Sequence, residues 1–194
     1  MTTIKLCTYT KSFFPYIYGQ KQRIIMCMFL VIEDGKILKR SFSECSIFFA
    51  EENAEIGAFR TGLEWILQNK KNIGDINIQV IFCGAPRVEI KKKVDDGTFF
   101  SKSPDGNYYE TYCAGDIYPM LLLFNKVTYS TASRVMFGGG KDDDSESARK
   151  FDMFGAVTKL FELFYGTDNG YGHPAVGGQP ELRWGNGAPR EVWT

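Results

Sequence analysis

The sequence predicts an α/β domain: three meandering antiparallel strands, then a helix and a fourth strand, then an insertion, a fifth strand and a last helix. Three observations carry this reading. Residues 4–10 alternate, with Ile4, Leu6 and Thr8 on one side and Lys5, Cys7 and Tyr9 on the other, the period of a β-strand. Glu33-Asp34-Gly35-Lys36 separates two apolar runs, and Asp-Gly at such a place is a hairpin signal. Between residues 53 and 70 the apolar spacing changes from two to that of an α-helix, through Ile56, Phe59, Leu63, Ile66 and Leu67.

Each element follows in order. Residues 12–22, with Pro15, Gly19 and several aromatics, read as a connection. Residues 23–32 are almost continuously apolar and include the β-branched Ile24, Ile25, Val31 and Ile32, which suits a strand buried on both faces. Residues 37–49 form the returning strand, anchored by Ile37, Phe42, Ile47 and Phe48. Asn53 is the expected N-cap of the first helix, and Gly57 and Gly62 are expected to let it lie close to the sheet. Lys70, Lys71, Asn72 and Gly74 mark its end, and residues 76–83 form a strand added in parallel. Residues 84–118 read as a solvated stretch around Lys91-Lys92-Lys93 and a hairpin at Asp105-Gly106; a short helix is expected within 117–124. Residues 125–136 are the fifth strand. The last helix starts among Asp142 to Glu146 and runs to about Phe164, with Phe151, Phe154, Val157 and Phe161 as its apolar stripe.

The organisation expected is one domain over 1–165, an insertion at about 85–124, and a Gly/Pro-rich tail over 166–194 without regular structure. The chain has 194 residues, 44% of them hydrophobic, enough for a sizeable core. Its 23 basic and 23 acidic residues cancel, which argues against a generally cationic nucleic-acid binder while leaving a local basic patch open. No apolar run reaches the roughly 20 residues of a membrane helix, and the first residues do not read as a secretory signal. Five cysteines without a CxxC pair point to neither a zinc ribbon nor a disulfide framework. A reduced, cytoplasmic protein that does not engage membranes is the expectation.

The order of elements resembles the ribonuclease H-like fold, a five-stranded mixed sheet with helices on both faces. The local matches are Tyr9-Thr10-Lys11-Ser12 at the end of the first strand, Asn53-Ala54-Glu55-Ile56-Gly57-Ala58-Phe59 at the start of the first helix, Ile81-Phe82-Cys83-Gly84 at the end of the fourth strand, and Asp152 in the last helix. The resemblance implies two-metal phosphodiester hydrolysis, in which several carboxylates clamp two Mg²⁺ ions. In this chain Lys11 and Cys83 occupy the places of two of those acids, leaving Glu55 and Asp152. An ammonium cannot ligate Mg²⁺ and a thiol is a poor ligand for it. The expected site is therefore degenerate, comprising Lys11, Glu55, Cys83 and Asp152, with Lys11 paired to Glu55, no cofactor and no bound metal.

Function is then expected from binding: a non-catalytic scaffold or adaptor for a protein partner. Tyr171, Leu182, Trp184 and Trp193 of the tail are the candidate contacts, since aromatics in a Gly-rich segment suit docking. A viral or mobile-element accessory role fits a degenerate copy of a nuclease fold. Arg87, Lys91, Lys92 and Lys93, followed by Phe99, Phe100, Tyr108, Tyr109 and Tyr112, form a candidate nucleic-acid handle. The competing readings are a divergent Mg²⁺/Mn²⁺ nuclease that combines Glu55 and Asp152 with Asp34, Asp116 or Asp142, and a nucleic-acid-binding protein that holds the backbone without cutting it. Other patterns fall to plainer explanations. Gly138-Gly139-Gly140-Lys141 lacks the phosphate-loop spacing, Asp142-Asp143-Asp144 suits a solvated helix start, and one histidine, His173, supports neither a catalytic triad nor a base for Cys83.

Overall fold

The computed structural model of the chain describes residues 1–14, 16–17, 19–45, 50–99, 117–132, 153–165 and 190–193. The main strands are β1 (Thr2–Phe13), β4 (Ile24–Glu33), β5 (Lys36–Cys45), β6 (Ile76–Phe82), β7 (Lys126–Thr131) and β8 (Arg190–Trp193). They form one sheet in the order β7-β6-β1-β4-β5-β8, and β2 (Tyr16–Ile17) with β3 (Gln20–Lys21) forms a separate ribbon between β1 and β4. The helices are α1 (Glu51–Asn69), α2 (Arg87–Asp95) and α3 (Met153–Tyr165), with one further helical turn at 117–121.

The antiparallel meander β1-β4-β5 and the parallel addition of β6 and β7 agree with the sequence reading. The tight turn at Asp34 and Gly35 has positive φ at both residues (50° and 72°), the twist-matched conformation that Asp-Gly adopts at little cost. Nearly every residue of β4 is buried, because helices cover both faces of the sheet. On one face Ile4, Leu6, Phe29, Val80 and Phe82 meet Phe59, Leu63 and Ile66 of α1 and Ile90 of α2. On the other, Cys7, Tyr9, Met28 and Leu30 meet Met153, Val157 and Phe161 of α3.

Several expectations need correction. The first helix starts at Glu51 with Ala50 as its cap, three residues before the proposed cap Asn53. Glu51 and Glu52 in the first turn favour the macrodipole instead of a side-chain cap. The stretch around Lys91-Lys92-Lys93 is helix α2, held to the core by Ile90 and Val94. Phe99, read as part of the hairpin and as an aromatic of the nucleic-acid handle, is buried against Phe82 at 6.5 Å between ring centroids. The tail is not wholly irregular: Arg190–Trp193 adds a sixth strand along β5, with Trp193 opposite Phe42. The hairpin at Asp105-Gly106, the helix start at 142–146 and the tail residues 166–189 lie outside the described residues.

The two helix glycines play different parts. A side-chain carbon on Gly62 would lie 2.5 Å from a methyl of Leu6 and 3.3 Å from the Phe29 ring, so here α1 needs a residue without one. Gly57 has open space. Gly57→Ala should therefore raise stability by about 0.5–1 kcal/mol through helix propensity, while Gly62→Ala should lower it by about 1–3 kcal/mol through overpacking. Chemical denaturation of the two variants, side by side, checks the opposite signs.

Candidate functional site

The pleat of β1 decides which side chains meet α1. Leu6 packs into the α1 face, so Thr8 and Thr10 follow on that side, whereas Cys7 and Tyr9 pack into the α3 face. Lys11 therefore stands on the side away from α1. Its ammonium lies over the Phe13 ring, 4.6 Å from the centroid. The expected Lys11–Glu55 pair is not formed: Lys11 and Glu55 project from opposite faces.

Glu55 is fully buried in the first half of α1, and its carboxyl is held from two strands. Thr8 Oγ1 donates to Oε1 at 2.8 Å, and the backbone N–H groups of Cys83 and Gly84 donate to the same oxygen at 3.2 and 3.0 Å. Oε2 is buried without a hydrogen-bond partner among the described residues. It lies against Gly84, where any side-chain carbon would collide with it and would also come within 2.7 Å of the Thr10 backbone nitrogen. Glycine at 84 is thus required by close approach and not by backbone conformation. Arg87, in the first turn of α2, donates from Nη1 to the Gly84 carbonyl at 3.1 Å.

Burial pushes the Glu55 carboxyl from 4.5 up to about 7, against the opposing pull of the Gly84, Thr8 and Cys83 hydrogen bonds and the Arg87 charge. Burial thus favours the neutral acid while the three hydrogen bonds on Oε1 favour the carboxylate, and burial is the larger effect. Cys83 supplies its amide to this site, while its thiol packs in the α3-side cluster with Cys7. Burial and the neighbouring Cys7 raise the Cys83 thiol well above its usual range, which leaves it inert as a nucleophile.

The geometry can now be set beside known proteins. LC11-RNase H1 in complex with an RNA/DNA hybrid matches with a TM-score of 0.52 at 14% identity, covering 81% of this chain and 99% of its own. LC11-RNase H1 isolated from compost by a metagenomic approach matches with a TM-score of 0.52 at 15% identity, covering 83% of this chain and 99% of its own. The fold is ribonuclease H-like. No family model and no curated protein sequence matches the chain.

The ribonuclease H-like resemblance implies a divalent-metal centre, and the described residues do not fit one. Mg²⁺ needs several anionic oxygens, whereas Glu55 Oε1 is surrounded by hydroxyl and amide hydrogens, and its strand neighbours are Thr8 and Thr10. No cluster of three or more His, Cys, Asp or Glu side chains exists among the described residues. Asp34, one proposed third acid, sits in the β4–β5 turn beside the start of β1, where Glu33 opposes Ile4; Glu55 is bound further along, at Thr8. Asp116, Asp142 and Asp152 lie outside the described residues, as do Tyr171, Leu182 and Trp184.

The basic handle is also altered by its helix. Lys91 pairs with Asp95 one turn on at 2.6 Å, and Lys93 reaches Glu52 of α1 at 2.6 Å. Two of its three lysines are thus in ion pairs with acids of this chain, Lys92 remains exposed, and Arg87 faces Gly84. Thr8, Thr10 and Gly84 were missed by the sequence reading. Counting every second residue from Leu6 along the strand would have found the two threonines.

Because the folded carboxyl titrates above the unfolded one, the folded chain keeps a proton between pH 4.5 and about 7 that the unfolded chain has lost. This contribution is full below pH 4.5, declines as pH rises and is gone above about 7. At about 1.4 kcal/mol per pH unit the loss should total about 3–4 kcal/mol. Glu55→Gln keeps the accepting oxygen and cannot ionise, so its stability should be flatter by that amount. Urea denaturation at intervals from pH 4.5 to 7.5 reads the difference, and equal slopes for the two chains would refute the protonated carboxyl.

Proposed function

We propose that this chain is a non-catalytic ribonuclease H-like protein that works by binding, as a scaffold for a protein partner. The observation that supports this best is the occupation of Glu55. A carboxylate that clamps metal must offer its oxygens to cations. Here Oε1 is taken by Thr8, Cys83 and Gly84, and burial raises the proton affinity of the group to about 7. The same three contacts give it a structural task, tying α1 to the ends of β1 and β6.

The binding role would draw on the tail. Its strand Arg190–Trp193 lies along β5, which brings Trp193 to the sheet edge, and Tyr171, Leu182 and Trp184 precede it in sequence. A Gly/Pro-rich segment with spaced aromatics that returns to an edge strand is suited to present a partner surface. LC11-RNase H1 is in complex with an RNA/DNA hybrid, and its likeness to this chain is one of fold.

The direct test is incubation of the chain with labelled DNA, RNA and RNA/DNA hybrid in Mg²⁺ or Mn²⁺. No cleavage above background is expected, and neither ion should raise the melting temperature by binding the folded state. Metal-dependent cleavage that disappears in Glu55→Gln would overturn the proposal.

A further inference from the structure

The first acidic residue of the chain is Glu33, and Lys5, Lys11, Lys21 and Arg23 precede it. Since the whole chain is neutral, this opening segment is a cationic block on an otherwise net acidic chain. The fold concentrates three of the four cations at one place. β1 and β4 stop pairing at Phe13 and Ile24, and the chain between them forms the β2–β3 ribbon, with Tyr16 opposite Lys21 and Ile17 opposite Gln20. Gly19, at φ 75°, makes its turn. Lys11 and Arg23 stand at the root and Lys21 on the ribbon itself.

Aromatic rings lie under these charges. The Lys21 ammonium is 5.6 Å from the Phe14 centroid, and Phe14 is 43% exposed. Phe13 is fixed from behind by parallel stacking on Phe161 of α3, with ring centroids 4.0 Å apart, and carries the Lys11 ammonium on its ring. Arg23 is oriented by donating from Nε to Ser12 Oγ at 3.3 Å. Among the described residues neither Lys21 nor Arg23 is in an ion pair, unlike Lys91 and Lys93 on α2.

We propose that the root and ribbon of the 11–23 hairpin bind single-stranded nucleic acid, with Phe14 as a stacking platform for a base and Lys21 and Arg23 on the flanking phosphates. An exposed aromatic ring under a mobile ammonium is a base-stacking place already matched to an anion: a base takes the ring face and the ammonium shifts to the phosphate. A duplex keeps its bases stacked on each other and offers Phe14 no free face. A lipid surface is the poorer fit, because the outgoing residues Phe14 and Ile17 are apolar but the returning Gln20-Lys21-Gln22-Arg23 is polar throughout, so only half of the hairpin suits an acyl region. None of these residues belongs to the Glu55 site or to the tail, so the proposal goes beyond the scaffold reading and its test stands apart from that one.

The test is fluorescence anisotropy of the full chain with labelled oligo(dT) and a mixed-sequence RNA of about 20 nucleotides, at two salt concentrations. Binding should weaken with salt, and Phe14→Ala should reduce it about 5- to 100-fold, the range of one lost base stack. Lys21→Gln with Arg23→Gln should weaken it and flatten the salt slope by about 1.4, or about 0.7 for each phosphate contact. Lys71→Gln, at an exposed lysine just beyond α1, should leave it unchanged, and circular dichroism checks that each variant is folded. No binding at low salt, equal affinity for a duplex, or affinity untouched by Phe14→Ala would overturn the proposal. So would a hairpin whose variants lose binding only to phosphatidylserine vesicles.

Discussion

One buried carboxyl holds the architecture together at the end of the sheet where β1 and β6 finish. Glu55 Oε1 gathers a hydroxyl from β1 and two amides from the residues after β6, so a single oxygen fixes the separation of α1 from two parallel strands. Burying a charge there would be expensive without a counter-ion. The protein meets this by surrounding the group with donors and by raising its affinity for a proton. The glycine at 84 and the threonine at 8 follow from the need to bring backbone and carboxyl together.

That constraint also explains why a ribonuclease H-like sheet need not carry ribonuclease H chemistry. The fold demands two covered faces, a central strand such as β4 that is apolar on both sides, and a helix laid close across β1. None of these demands an acid at the strand ends. Thr8 and two amides hydrogen-bond Glu55 Oε1, so this acid ties α1 to the strands whatever chemistry the site carries. Fold and function separate at this point.

Much of the sheet was legible because its signals are local. Asp34-Gly35 fixes the β4–β5 turn, the apolar run marks β4, and the spacing of Ile56, Phe59, Leu63 and Ile66 marks α1. The site was less legible, and the reason is the pleat. Matching a motif at Tyr9-Thr10-Lys11 puts Lys11 in the pocket, but strand alternation turns it to the other face, over Phe13. Helix α2 was hidden by three successive lysines, although Ile90 and Val94, four apart, were the signal available. Strand β8 had no local signal at all. Four residues in a glycine-rich tail become a strand only because β5 offers them an open edge.

The β5–β8 pairing has a consequence for how the chain is made. Its two partners are separated by most of the sequence, so during synthesis β5 must wait with one edge bare until all the intervening elements have left the ribosome. A bare edge invites pairing with other nascent chains. Lys36, Lys39 and Arg40 lie along that edge beyond the stretch β8 covers, and their like charges guard it through the waiting period. The last strand is thus the closing seam of the fold, sewn late and only along part of its length.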